Sequence, residues 1–262
     1  MIPCPKPTSV DFESFAIEGR PVYPPIPVGV SIKYWGQKSQ YYAFGHRTEN
    51  NCTWGAAQRA LFQAYTTPDG VLCQNGKFDI DVGEVHMGLP RLHWTKYHDT
   101  MFLLFLDDPH QKDIGLKPSA ERLLGMKPEE QNRVAEWLIA NQPIPGVRIT
   151  PGKDGDHYAG KYIAFAPGDI VGKYANGDVD RTERLFKLLW QKTRDRDMLE
   201  AYDTERELML YLLDEFERPG VRVDLTRLRT DTRRYQRAQL EVDQWIIKLL
   251  KAPADINLNS GQ

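Results

Sequence analysis

No run of apolar residues in this sequence approaches the roughly 20 that a membrane-spanning helix needs, so such a helix is not expected. Cysteine is scarce. Cys4, Cys52 and Cys73 are widely spaced, odd in number and form no C-x-x-C pair, so reduced thiols are expected rather than a disulfide framework. The opening Met1-Ile2-Pro3-Cys4-Pro5-Lys6-Pro7 lacks the charged start and continuous apolar centre of a secretory leader, and a cytoplasmic protein is expected. A surplus of one charge is missing too. Lys and Arg total 34 against 36 Asp and Glu, a formal net charge of −2, which argues against a large non-specific nucleic-acid clamp. A nuclease remains open, because its carboxylates pull the total negative while a local basic rim holds phosphates. No internal repeat is visible.

What is present is the balance of a globular protein. The 262 residues are 41% hydrophobic and 27% charged, enough for one large or two small domains with a substantial core. Residues 9–16 read as a short strand, and the turn-rich stretch from Gly19 to Pro27 as a loop. Residues 28–34 and 40–44 read as a β-hairpin, so three antiparallel strands open the chain. Thr53 caps a helix through Ala56, Ala57, Ala60, Leu61 and Ala64. Val71-Leu72-Cys73-Gln74 is a strand, followed by a helix to about Met87. Residues 94–98 form a further strand, with a helix starting at Asp99-Thr100. Helices are expected from Lys117 to Gly125, from Pro128 to Asn141, through Leu185, Leu188, Leu189 and Trp190, from Met198 to Glu217, and from Asp224 to about Lys251. Residues 143–161, including Gly155-Asp156-His157, read as a surface loop rather than a phosphate or metal site. Arg227, Arg229, Arg233, Arg234 and Arg237 read first as a solvated helix face and second as a track for a phosphate backbone.

The chemistry centres on Ser9-Val10-Asp11-Phe12-Glu13-Ser14. Two carboxylates one residue apart on a strand share a face, because side chains alternate along extended backbone. Their mutual repulsion is relieved if a hard cation sits between them. An isolated D-x-E is common on soluble surfaces, so support must come from elsewhere in the chain. Asp79 is expected just beyond the C-terminal end of a strand, where an α/β layer gathers ligands. Tyr174 and Asp178, four apart, share a face if helical.

Taken in order, Asp11-x-Glu13, Asn75-x-x-x-Asp79 and Tyr174-x-x-x-Asp178 resemble the three motifs of the DEDD superfamily of 3′-5′ exonucleases, in the subclass with tyrosine in the third motif. The nearest resemblance is to the proofreading domain of family-A (polymerase-I-like) DNA polymerases. It is carried by Gln74-Asn75-Gly76-Lys77-Phe78-Asp79, Asp99-Thr100-Met101, Ser119-Ala120-Glu121-Arg122-Leu123-Leu124 and Tyr174 through Thr182. The resemblance implies an α/β fold, a ribonuclease-H-like mixed sheet flanked by helices with the acids converging at one end. It implies two cations, Mg2+ or Mn2+, with Asp11 bridging both, Glu13 and Asp178 completing the first and Asp79 holding the second through water. Tyr174 would orient the attacking water; an ordinary tyrosine, with a pKa near 10, is a poor base at neutral pH. Asn75 and Phe12 are candidates for contacting the terminal nucleotide, core packing being equally open for Phe12.

The implied domains are an exonuclease over 1–196 and a helical extension over 197–262 resembling the lead-in to a polymerase thumb, on the strength of Glu217 to Asp224 and Ile256 to Ser260. The fingers and palm motifs of that family are not in the sequence, so polymerisation is not expected. The implied partners are a single-stranded DNA 3′ end or frayed primer terminus and a separately encoded or removed polymerase domain. The short lead before Asp11 resembles phage members more than bacterial ones. Two rivals stand beside this reading, a ribonuclease-D-like exoribonuclease and a non-catalytic DNA-holding module. A zinc site from His86, His93, His98 and a cysteine lacks paired ligand spacing.

Overall fold

Apolar and polar residues alternate through Thr8–Ser14, and this segment becomes β1, the centre of a five-stranded sheet of order β3-β2-β1-β4-β5. The computed structural model describes residues 2–127, 129–150, 161–253 and 256–258. The chain divides into two units, Met1–Leu213 and Asp214–Gln262.

In the first unit, β2 (Pro27–Lys33) pairs antiparallel with β1 and β3 (Gln40–Ala43) antiparallel with β2. The strands β4 (Val71–Cys73) and β5 (Tyr97–Asp99) add in parallel on the other side. The mixed sheet and its opening antiparallel trio are as expected. Pro5 and Pro7 predict a short, loosely held β1, and the structure corrects this. Both prolines lie before the strand, where no ladder donor is required, and Thr8 already donates its N–H to Gly70 O at 2.9 Å.

One face of the sheet presents Val10, Phe12, Val30 and Ile32 to α1 (Trp54–Tyr65) and α2 (Lys77–Met87). The side chain of Thr53 caps α1 at Ala56 N, as read from the sequence. The other face is lined by small or polar residues, among them Ser9, Gly29, Ser31 and Ala43, and receives the 28-residue helix α6 (Gly168–Asp195). Gly172 of that helix lies on Tyr41, where a Cβ would sit 2.9 Å from the ring. Further along, Leu185, Phe186 and Leu189 of α6 pack with Leu72 and with Leu103 and Leu104 of α3 (Thr100–Asp107).

The remaining helices of this unit are α4 (Leu116–Leu124), α5 (Glu129–Asn141) and α7 (Leu199–Leu212). Two boundaries differ from expectation. Residues 94–96 form a 3-10 turn, with His93 Nδ1 accepting from Thr95 N, so β5 begins only at Tyr97. The helix expected to reach Glu217 ends at Leu212 and runs into a π-helical turn over Leu213–Glu217. The sequence-based boundary after residue 196 falls in the turn between α6 and α7. The first unit continues to Leu213 because Tyr202 and Arg206 of α7 bond Asp99 N and Tyr97 O at the end of β5.

The second unit contains α8 (Leu225–Leu250), capped by Asp224, which accepts from Thr226 N and Arg227 N at 3.0 and 2.9 Å. None of its residues is buried, and its five arginines are solvated, Arg227 pairing with Asp231. Gly155-Asp156-His157 lies outside the described residues, as does part of Ile256 to Ser260.

Candidate metal centre

Asp11 and Glu13 sit on the α6 side of β1, the alternate residues Val10 and Phe12 being turned into the core on the other side. Across the ladder Asp11 faces Ser31 and Glu13 faces Gly29, so nothing bulky on β2 stands over the acids. Ser31 Oγ reaches Asn176 Oδ1 of α6 at 3.3 Å, which ties the helix to the sheet two residues before Asp178. Asp178 thereby meets the strand pair. One carboxylate oxygen from each of Asp11, Glu13 and Asp178 lies within 4.8 Å of the others.

Burial and crowding dominate the electrostatics. Burial, then Asp178, pushes the Asp11 carboxyl up to about 8, against the opposing charge of Lys117. Glu13 is raised well above the ordinary carboxylate range by burial, then by Asp11 and Asp178. Three crowded, poorly hydrated carboxylates form a hard-oxygen donor set that fits a divalent cation such as Mg2+ or Mn2+.

Asp79 reaches the backbone of β1 between the two acids. It lies in the first turn of α2, directly after β4, and its Oδ1 accepts from Phe12 N at 2.9 Å. It stands outside the close triad but within the same electrostatic cluster, because burial and then Asp11 raise its carboxyl. The turn delivering it is clamped by Asp99, whose carboxylate accepts from Asn75 N at 2.9 Å, Gly76 N at 2.8 Å and Met101 N at 2.8 Å. Asn75 holds a left-handed φ of 57°, and a Cβ on Gly76 would lie 2.5 Å from Cys73 Cβ. The motif Asn75-Gly76 is thus first a backbone turn. Phe12 is 4% exposed in the core and also lines a cavity of about 700 Å³ that opens beside Glu13. Phe15, Phe78 and Lys161 line it too, none of them a sequence-based candidate.

Tyr174 lies one helical turn before Asp178 on α6. Its hydroxyl accepts from Lys117 Nζ at 2.8 Å, and the same ammonium stands 3.2 Å from Asp178 Oδ2. Arg181, buried, holds Asp178 Oδ1 at 3.2 Å and donates to Lys127 O at 3.0 Å. Sequence reasoning missed Lys117 and Arg181; Arg181 follows Asp178 by three, a helical pairing distance that signals it. The zinc alternative fails, since its histidines part company. His86 bonds Pro24 O, His93 bonds Thr95 Oγ1, and His98 is buried against Tyr202 and Phe186 with its pKa lowered to about 3 by burial.

Comparison of the sequence matches no family model and no curated protein. Solved structures do match. Brucella melitensis NrnC superposes with a TM-score of 0.51 at 13% identity, over 80% of this chain and 84% of that one. The NrnC structure with bound Mg2+ gives 0.50 at 14% identity, over 80% of this chain and 84% of that one. Escherichia coli RNase D, an exoribonuclease involved in structured RNA processing, gives 0.50 at 16% identity, over 81% of this chain and 46% of RNase D. The fold is ribonuclease-H-like. At these identities the likeness establishes architecture, and the resemblance to family-A proofreading domains rests on the motifs alone. No helix among the described residues is long and apolar enough to cross a membrane.

Proposed function

We propose that this chain is a metal-dependent 3′-5′ exonuclease that removes nucleotides from nucleic-acid 3′ ends, with DNA as substrate on the strength of its three motifs. One observation carries the reading. Carboxylates from a central strand and a crossing helix, Asp11, Glu13 and Asp178, come within 4.8 Å of one another, and Glu13 also lines a cavity of about 700 Å³. These three would hold a first Mg2+ or Mn2+, and Asp11 with Asp79 a second. Bound there, such ions supply Lewis-acid polarisation of the phosphoryl group and a more acidic water.

The chain's own groups do the rest. Phe12, Phe15 and Phe78 offer the terminal base apolar walls, Lys161 offers a cation to phosphate, and Asn75, in the turn between β4 and α2, is proposed as a further contact to the nucleotide. Tyr174 orients the attacking water. The water oxygen bonds to phosphorus as the bond from phosphorus to the 3′ oxygen of the preceding nucleotide breaks. The products are a nucleoside 5′-monophosphate and a new 3′-hydroxyl. Of the helical extension read over 197–262, the part beyond Leu213, with the arginines of α8, is proposed to meet nucleic acid or a separate polymerase domain. The setting proposed is the cytoplasm.

A second reading, an exoribonuclease, is favoured by the likeness to RNase D. One experiment addresses both. Identical 5′-labelled DNA and RNA oligonucleotides are incubated with Mg2+ or with chelator. Stepwise shortening from the 3′ end that requires Mg2+ and is lost in Asp11→Ala is expected, faster on DNA. Digestion unchanged by chelator would overturn the reading, and a preference for RNA would replace the substrate.

A further inference from the structure

Lys117 opens α4 at a place where a cation is poorly suited. The first turn of a helix favours negative charge, and this one contains no acidic residue to offset the lysine. Its side chain is only 16% exposed, so its charge is met mainly by protein. The partners lie in the metal centre. Lys117 Nζ is 2.8 Å from the Tyr174 hydroxyl, 3.9 Å from the centroid of the same ring and 3.2 Å from Asp178 Oδ2. An ammonium has three donors and no acceptor, so the Tyr174 oxygen accepts and the phenolic proton must point away from Lys117. One cation on both the hydroxyl and the ring face leaves that side chain little freedom.

We propose that Lys117 is a positioning residue of this site, one that orders the Tyr174 hydroxyl for the attacking water and competes with the metal for Asp178. The proposal rests on the nuclease reading above and deepens it. The two effects run in opposite directions. Shared occupation of Asp178 and charge repulsion hold metal affinity down, while the ordered tyrosine raises turnover. A lysine that merely supported the local fold would have no reason to split them.

The test uses Lys117→Met, which keeps the length of the side chain and removes its charge. Mn2+ titrated calorimetrically into the nucleic-acid-free protein is expected to bind about fivefold more tightly than to the unaltered chain. On a single-stranded oligonucleotide, kcat is expected to fall roughly 10- to 100-fold, with KM changed less than about threefold. Lys117→Arg, which retains a donor and a charge, should recover part of kcat. In a Tyr174→Phe background, adding Lys117→Met should cost about threefold or less, because the hydroxyl it orders is gone. Weaker or unchanged Mn2+ binding in a variant whose melting curve matches the unaltered protein would overturn the proposal. So would full multiplicative loss in the double variant. If the unaltered chain neither digests an oligonucleotide nor binds Mn2+ through Asp11, the nuclease reading fails and takes this one with it; if it does both and Lys117→Met behaves like it, only the role of Lys117 fails.

Discussion

Among single residues, the acids carry the sharpest consequences. Asp178→Ala should abolish 3′ digestion while leaving a folded protein, read by activity and circular dichroism together. Tyr174→Phe should retain a measurable remainder, because the carboxylates that would hold metal are untouched. The pH behaviour follows from Asp11. Its folded-state pKa, about 8, lies above the ordinary 3.8, so between these values the folded chain holds a proton that the unfolded chain has released. Any stabilisation from that proton is present at low pH and lost as pH rises through about 8. In chelator, the melting temperature should therefore decline from about pH 5 to about pH 9, and Asp11→Asn should flatten part of that decline. Added Mn2+ should help most at the alkaline end. A melting temperature that rises over this range would contradict the buried, mutually repelling cluster. D-x-E and Y-x-x-x-D were legible in the sequence because each lies on one element with a fixed period. Lys117 was not, since nothing in Gly115-Leu116-Lys117 says which residue 57 positions later its ammonium will meet.

At the level of elements, two contacts decide how the site is presented. Gly29 faces Glu13 across the ladder, and the Tyr41 ring fills the space a side chain would take, with its hydroxyl 1.9 Å from where a Cβ would stand. Gly29→Ala must displace that ring, which bonds His46 at 2.6 Å, and should cost about 1–3 kcal/mol in urea unfolding. Asp99 belongs to β5, caps α3 and gathers the N–H groups of the β4–α2 turn. Asp99→Ala leaves those donors buried without partners and should cost about 3 kcal/mol or more, with reduced activity because Asp79 rides on that turn. A stable, fully active Asp99→Ala would refute this chain of support. The cap on α3 was readable from Asp99-Thr100. Its second duty toward Asn75 and Gly76 was not, because those bonds exist only when β4 and β5 lie side by side.

Considered whole, the chain holds two units of different character. The first, Met1–Leu213, has a sheet buried on both faces and contains every acid of the proposed site. The second includes a 26-residue helix with no buried residue. Substituting Arg233 and Arg234 by alanine should change unfolding stability by no more than about 0.5 kcal/mol, since exposed side chains without buried partners contribute little. If those arginines follow a phosphate backbone, the same variant should weaken oligonucleotide binding and reduce its salt dependence by roughly one counterion per residue. Unaltered binding would leave them as a solvated face.

By itself, the sequence determined the local vocabulary of this protein. Period-2 and helical patterns, Thr53, Asp99 and Asp224 as caps, and the spacing inside each acidic motif are set by residues within a few positions of one another. The order of strands, the central place of β1 despite Pro5 and Pro7, and the meeting of Asp178 with Asp11 and Glu13 were decided only in three dimensions. So was the division of labour among the acids, three in a tight triad and Asp79 bonded to Phe12 N. These arrangements depend on which faces pack, and packing joins residues more than a hundred positions apart through shape and buried area rather than through any local pattern.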